Sequence, residues 1–527
     1  LRNPYFWISI ILAVSALFVP IPYKFVLLIV APLPIVLWYV AEALKRRGIT
    51  AVVDEDLLYL CTHMYAVSTG KPPHERVFSL GGVSGQGYGV YTMVLNRIVS
   101  VAKKWGYGFV MATRTQVKYV TNTLFRDFLN RLAEAINVGE DLETFLQMEQ
   151  NIMLTSYEAD YARVLESLKL LLGIYTASIS SAIFIDVNIV LLSFFMGGTQ
   201  VIVTSFIATM IVLILLVFLI KKSLPKQNLV HDLKINMPER RLYNIALITS
   251  MLLASFMGLW IFMRFGEPAY FLVSFGMFLF IPGLIGRRIE SSVKNVENFF
   301  IVFIRSLGLT FSTLRNYTQS VKSILVTDLG LLTKHLRRLY SRLKNGIDTR
   351  IAMLYFVGES GSETMRRGMD IFYDAIEAGG DPVKVGECLS VTVQRIINLR
   401  KQREQVARAF QGVVYILTIL IVALAEFVFT LVTLLQHVFA TAGGAQIQIL
   451  PLIYVEPTII TVLKIGLVFT ITILNAFALQ ISRGGFTGSA WLHAAMLLIL
   501  SGGTMIVSSM FSKILYSTLQ LSQITTP

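Results

Sequence analysis

Apolar runs and charged stretches alternate along this chain on a scale much longer than a single helix or strand. Runs long enough to cross a bilayer fall at 4–19, 22–43, 170–195, 201–220, 242–262, 268–285, 410–435, 458–481 and 491–510. They predict nine transmembrane helices. Two long polar segments with helical periodicity separate them. The expected fold class is therefore all-α: a polytopic membrane protein with two cytoplasmic helical bundles, arranged as a tandem parallel repeat. The expected units are a transmembrane pair at 1–43, a first cytoplasmic helical domain at 44–168, a second pair at 169–220 and a basic cytoplasmic linker at 221–241. A third pair at 242–286, a second cytoplasmic helical domain at 287–409, three transmembrane helices at 410–513 and an external tail at 514–527 complete the order. Pro20-Ile21-Pro22 is a poor signal-cleavage site, so the first span is expected to remain as an anchor.

The polar segments carry a clear helical pattern. Leu332, Leu336, Leu339 and Leu343 share one helix face, with Gly346 as a stop. Ser362 can cap the next helix, in which Met365, Met369, Phe372 and Ile376 form a second stripe that ends at Gly379-Gly380. Asp381-Pro382 supplies an N-cap and a first-turn proline. From Val385 to Phe410 only the early Gly386 interrupts, so this helix is expected to run straight into a span. The apolar run Phe299–Phe311 carries Arg305 and reads as a core helix rather than a further crossing.

An internal repeat accounts for the two segments. Adding 240 to a position in the first half finds a similar feature in the second. Trp105-Gly106 falls on Asn345-Gly346, and Ala135–Asp141 falls on Ala375–Asp381. Arg97, Arg126 and Arg163 fall on Arg337, Arg366 and Arg403, and Asp186 falls on Glu426. Four spans return a chain to its starting side, so both copies share one orientation.

Charge fixes that orientation. The net charge is +14 with 55% hydrophobic residues, and the short linker holding Lys221, Lys222, Lys226, Lys234, Arg240 and Arg241 has only Asp232 and Glu239 against them. The positive-inside rule then puts the amino terminus and the polar segments inside the cell membrane and the carboxyl terminus outside. It also absorbs a basic balance that would otherwise point to nucleic acid; lipid is the expected neighbour. The two polar segments differ. Residues 287–408 hold 20 Lys and Arg against 12 Asp and Glu, whereas 42–168 hold 13 against 14. Cys61 and Cys388 make no disulfide framework. A metal site from Cys61, His63 and His74 is weighed against ordinary bundle residues, and the latter is preferred.

Motifs for chemistry are few. Gly70-Lys71-Pro72 lacks the Ser or Thr of a phosphate loop, and the glycines of 81–89 read as a flexible loop. Asp370 and Asp374, one turn apart, could hold a divalent ion as in membrane transferases, but a solvated helix face is the preferred reading. Asp186 and Glu426 lie inside spans, where an acid has either a partner or a role in ion passage. A hydrogen bond or a salt bridge, with Lys464 as a candidate, is preferred to a proton path. No enzyme and no cofactor is implied.

The second segment contains Val357-Gly358-Glu359-Ser360-Gly361-Ser362, then Ala378-Gly379-Gly380-Asp381-Pro382, then the basic helix Arg395–Arg408. With the duplicated topology, it resembles the type II secretion system F-domain family, and most closely the archaeal membrane platform proteins of the archaellum and related type IV pili. The resemblance implies a platform for filament assembly that docks a hexameric cytoplasmic secretion ATPase, holds pilin-like filament subunits and forms a homodimer. On that basis Arg337, Arg338, Arg342, Lys344, Arg366, Arg367, Arg400, Lys401 and Arg403 are expected to meet an acidic ATPase surface. The first copy has Gly139-Glu140-Asp141 where the second has Gly379-Gly380-Asp381-Pro382. The alternative class is a secondary transporter, suggested by the duplication and the intramembrane acids.

Overall fold

A computed structural model describes residues 53–196, 199–225, 227–233, 238–265, 267–441 and 457–524. Among these residues the chain is helical, with no strand beyond an isolated bridge between Val230 and Ser362. The first polar segment comprises α1 (Glu55–Ser68), α2 (His74–Phe78), α3 (Val90–Lys104), α4 (Gly108–Val117) and α5 (Thr123–Val138). It continues into α6 (Leu142–Met196), followed by α7 (Thr199–Ser223) and α8 (Pro238–Phe265). Then come α9 (Pro268–Leu314), α10 (Tyr317–Ile324), α11 (Leu331–Lys344), α12 (Thr349–Ser360) and α13 (Glu363–Glu377). The last are α14 (Pro382–Thr441), α15 (Pro457–Arg483) and α16 (Ala490–Ile524).

Local chemistry sets these limits. Asn122 accepts from Phe125 N at 3.2 Å to start α5, and Ser362 accepts from Met365 N at 3.1 Å to start α13. Left-handed glycines close the same two helices one or two residues on: Gly139 (φ 77°) and Gly379 (φ 83°). Asp381 accepts from Val383 N at 2.9 Å, and α14 then runs 60 residues without a break. At about 1.5 Å per residue it is roughly 90 Å long. The sequence anticipates this rod but not its counterparts, the 55-residue α6 and the 47-residue α9.

Among the described residues, seven helices are long and apolar enough to cross a membrane: parts of α6, α7, α8, α9, α14, α15 and α16. They coincide with seven of the nine expected spans; the two at 4–19 and 22–43 lie outside the described residues. Their shared core runs from Leu168 through Leu272, Val422 and Ile471 to Met505. Small residues bring α9 against α16: a Cβ on Gly283 would lie 2.5 Å from Leu492 Cα. Without a hydrophobic drive between helices in lipid, such close backbone approach supplies the packing.

The polar segments differ from expectation in one respect. They do not form two bundles. A single hydrophobic core joins Leu57–Leu165 of the first to Val296–Leu399 of the second, with α1 wedged among α6, α13 and α14. The run Phe299–Phe311 contributes Phe300, Phe303, Ile304 and Leu307 to that core. We call the joined structure the body.

Candidate docking surface and the junction behind it

The expected basic residues divide into two groups by burial. On α11 the stripe Leu332, Leu336, Leu339 and Leu343 is buried, which turns Lys334, Arg337, Arg338 and Lys344 outward. Arg338 and Arg342 both bond Glu359 of α12, and Arg342 also lies 5.2 Å from the Tyr355 ring centroid. Burial works to raise the Glu359 carboxyl, but the hydrogen bonds from the two arginines outweigh it and hold it below the usual range. Arg337 and Lys344 have no carboxylate partner among the described residues, and neither does the exposed Lys401 of α14. This leaves an open cationic face on the second segment.

Arg366, Arg367, Arg400 and Arg403 are enclosed instead, because each guanidinium has internal partners. Arg366 bonds Glu363 at 2.5 and 2.7 Å and Asp370 at 2.8 Å. Arg367 bonds Glu363 at 2.8 Å and Asp56 at 2.6 Å, and stands over the Tyr59 ring. Arg400 reaches Glu55 at 3.0 Å, Thr364 at 2.9 Å and Glu297 at 3.4 Å. Arg403 donates to the backbone carbonyls of Ile481 and Ser482, a cation at the carboxyl end of α15. These four hold the body together and join it to the spans. Charge alone does not distinguish these internally paired arginines from the exposed Arg337 and Lys344.

Asp370 and Asp374 are not on a solvated face either; each is 4% exposed. The glycine loop expected to be flexible lies against them. Asp370 accepts from Ser84 N at 2.7 Å and from Ser84 Oγ at 2.5 Å. Asp374 accepts from Gly81 N at 2.8 Å, is bonded by Arg76, and lies 2.9 Å from His63 Nε2. The other ring nitrogen of His63 meets Tyr88 Oη at 2.9 Å. A side chain is opposed here: a Cβ on Gly81 would sit 2.7 Å from Asp374 Oδ1, so the carboxylate would have to shift. Burial would raise the Asp374 carboxyl, but His63, Arg76 and Gly81 outweigh it and hold it well below the usual range. At Asp370 burial wins and the carboxyl is pushed up, against the hydrogen bonds and charge of Ser84 and Arg366. Among the described residues no group of three His, Cys, Asp or Glu could hold a metal. Cys61 is buried, and His63 is taken up by this junction.

The loop after α7 fastens the second segment from another side. Val230 bridges Ser362, His231 N donates to Gly361 O at 3.1 Å, and Glu363 N donates to Leu229 O at 3.1 Å. In the spans, Lys464 donates to Glu426 at 2.8 Å, and Ser205 of α7 donates to Asp186.

With this geometry in hand, comparison with known proteins adds one finding. The chain is similar to two proteins named flagella accessory protein J. The relative from Methanocaldococcus jannaschii is 32% identical over 337 residues, covering 60% of this chain and 59% of the relative. The one from Methanococcus voltae is 26% identical over 377 residues, covering 69% of this chain and 67% of the relative. The match to the first thus spans less than two thirds of that relative's own length. No family model and no solved structure matches the chain.

Proposed function

We propose that the chain is an integral membrane platform for assembling an archaellum or a related type IV pilus-like filament. In this reading it docks a cytoplasmic secretion ATPase and couples the ATPase cycle to insertion or rotation of filament subunits. The observation that carries it is continuity: α6, α9 and α14 run unbroken from the spans into one body with an open cationic face. A force on that face has a stiff path to the bilayer. The names of the two relatives point the same way.

The body then lies in the cytoplasm, and filament subunits meet the span layer. We also read the paired helix limits as a duplication. The helices α3, α4 and α5 are followed in order by α11, α12 and α13 at nearly the same spacing, with left-handed Gly106 and Gly139 answered by Gly346 and Gly379. Docking falls to Arg337, Arg338 and Lys344, with Arg342 fixed in place by Glu359. A transport reading has less to draw on, since Glu426 is neutralised by Lys464.

Binding of a purified hexameric secretion ATPase to the full chain in nanodiscs tests the proposal. Affinity is expected to fall with salt and to drop at least about tenfold in Arg337→Glu/Arg338→Glu/Lys344→Glu, as for a steered electrostatic contact. Unchanged affinity in that variant would overturn the assignment.

A further inference from the structure

A cavity of about 100 Å³ opens where the body meets the spans. Its wall includes Lys294 of α9, Arg400, Lys401 and Glu404 of α14, Arg483 at the end of α15, and Glu297. Four cations face two carboxylates there, an excess of two positive charges. Behind the wall, Glu290 bonds Lys294 at 2.6 Å and Arg483 at 3.3 Å, Glu55 bonds Arg400 at 3.0 Å, and Arg403 bonds Gln227 of the wall at 3.1 Å; with these included five cations meet four carboxylates, and one positive charge remains. Glu404 joins the same pair of cations, at 3.2 Å to Lys294 and 3.0 Å to Arg483.

One cation of the wall is left over. Lys401 has no carboxylate partner among the described residues. The volume is well above the ~10–15 Å³ that a single water needs. An oxyanion in the cavity would meet Lys401 beside the wall's Arg400 and Arg483, and forked guanidinium groups suit a phosphate in particular.

Position narrows the source. Gln227 and Leu229 line the cavity just after α7 ends at Ser223, and Gly485 lines it just after α15 ends at Arg483. Lys401 and Glu404 precede, by only two or three turns, the apolar stretch of α14. All lie at the edge of the apolar layer, where the headgroup zone is roughly 5–8 Å deep. Basic pockets between helices at this level take acidic lipid headgroups.

We infer that this cavity binds a phosphate group, supplied by the headgroup of an acidic phospholipid or by a soluble phosphate. Occupancy clamps α9, α14, α15 and the loop after α7 together at the point where the body joins the spans. The site is independent of what the body docks.

The test uses the full chain, purified in neutral detergent and stripped of lipid. Phosphatidylglycerol, phosphatidylcholine and inorganic phosphate are each titrated, the last against chloride at matched ionic strength. Binding is read by native mass spectrometry and by the unfolding midpoint. Phosphatidylglycerol is expected to bind at least about tenfold more tightly than phosphatidylcholine and to raise the midpoint. Lys401→Glu is expected to abolish both effects, and Lys401→Arg to restore them. Lys401 is exposed, so neither change threatens the fold. If inorganic phosphate alone gives the Lys401-dependent response, the site stands and its ligand is soluble. Equal binding of the two lipids together with no response to phosphate, or responses that Lys401→Glu leaves unchanged, would overturn it.

Discussion

The helices α5 and α13 have nearly the same outline and opposite surroundings. Each opens on a side-chain cap, Asn122 or Ser362, and each is closed by a left-handed glycine, Gly139 or Gly379. Each buries the matching stripe: Phe125, Leu129, Leu132 and Ala135 in one, Met365, Met369, Phe372 and Ala375 in the other. They part on the adjacent face. Arg126, Asn130 and Glu134 of α5 are exposed to solvent. Arg366, Asp370 and Asp374 of α13 are buried under the loop at 81–88 and α1 of the other segment. The apolar stripe fixes how a helix sits in its own bundle, while the polar face takes its role from whatever arrives from elsewhere in the chain.

The largest expected effect breaks that contrast directly. Asp374→Ala leaves His63 and Arg76 facing a buried gap, and removing one partner from a buried charged group costs ~3–5 kcal/mol. Glu134→Ala at the matching position loses only a bridge to Arg114 in which both side chains are at least half exposed. Its cost is within ~0.5 kcal/mol. Unfolding of the full chain in detergent, followed by pulse proteolysis, compares the two. Equal losses would mean that the loop does not seal α13.

Acid should act on the same bond more gently, because a protonated Asp374 still accepts a hydrogen bond. Its folded carboxyl titrates below the unfolded value of ~3.9. The stability it contributes is therefore complete above that value and is lost as pH falls toward the folded one. Between pH 5 and 8 this term is expected to be flat. Below pH 4 the wild type should lose stability more steeply than Asp374→Asn, and parallel curves would remove Asp374 as the source.

The sequence makes one side of this comparison readable and hides the other. Spacing reveals the apolar stripe of α13, the caps at Ser362 and Asp381, and seven spans that the helices match. It also makes Asp370 and Asp374 look solvated, because carboxylates one turn apart usually are. Their partners Ser84, Gly81, Arg76 and His63 lie 286 to 311 residues away, beyond the reach of any local pattern. The hint available was compositional: a glycine pair and a serine, Gly81-Gly82-Val83-Ser84, that can offer bare backbone N–H groups to a carboxylate. Arg366, Arg367, Arg400 and Arg403 are the mirror-image case. Counting charge cannot tell an arginine facing water from one enclosed by Glu363, Glu55 or a helix end.

Gly81→Ala sharpens the comparison without touching charge. The added methyl would press on Asp374 Oδ1, and overpacking of this kind costs ~1–3 kcal/mol. Part of that cost should vanish in the Asp374→Ala background, since the obstructing oxygen is gone. Full additivity of the two changes would argue that Gly81 matters only for its own backbone.

The smallest effect belongs to an exposed ion pair that crosses between the segments. Lys384 of α14 donates to Glu143 of α6 at 2.5 Å, a shorter contact than His63 makes to Asp374. Distance alone would rank it higher. Yet the Lys384 side chain is 51% exposed, and water screens an exposed pair while the side-chain entropy cost of holding it remains. Lys384→Ala is therefore expected to change stability by no more than ~0.5 kcal/mol, an order below Asp374→Ala. A loss above ~2 kcal/mol would show that the segments are held at their rim as firmly as at the buried junction. It would also mean that burial of α13's polar face is not what sets it apart from α5.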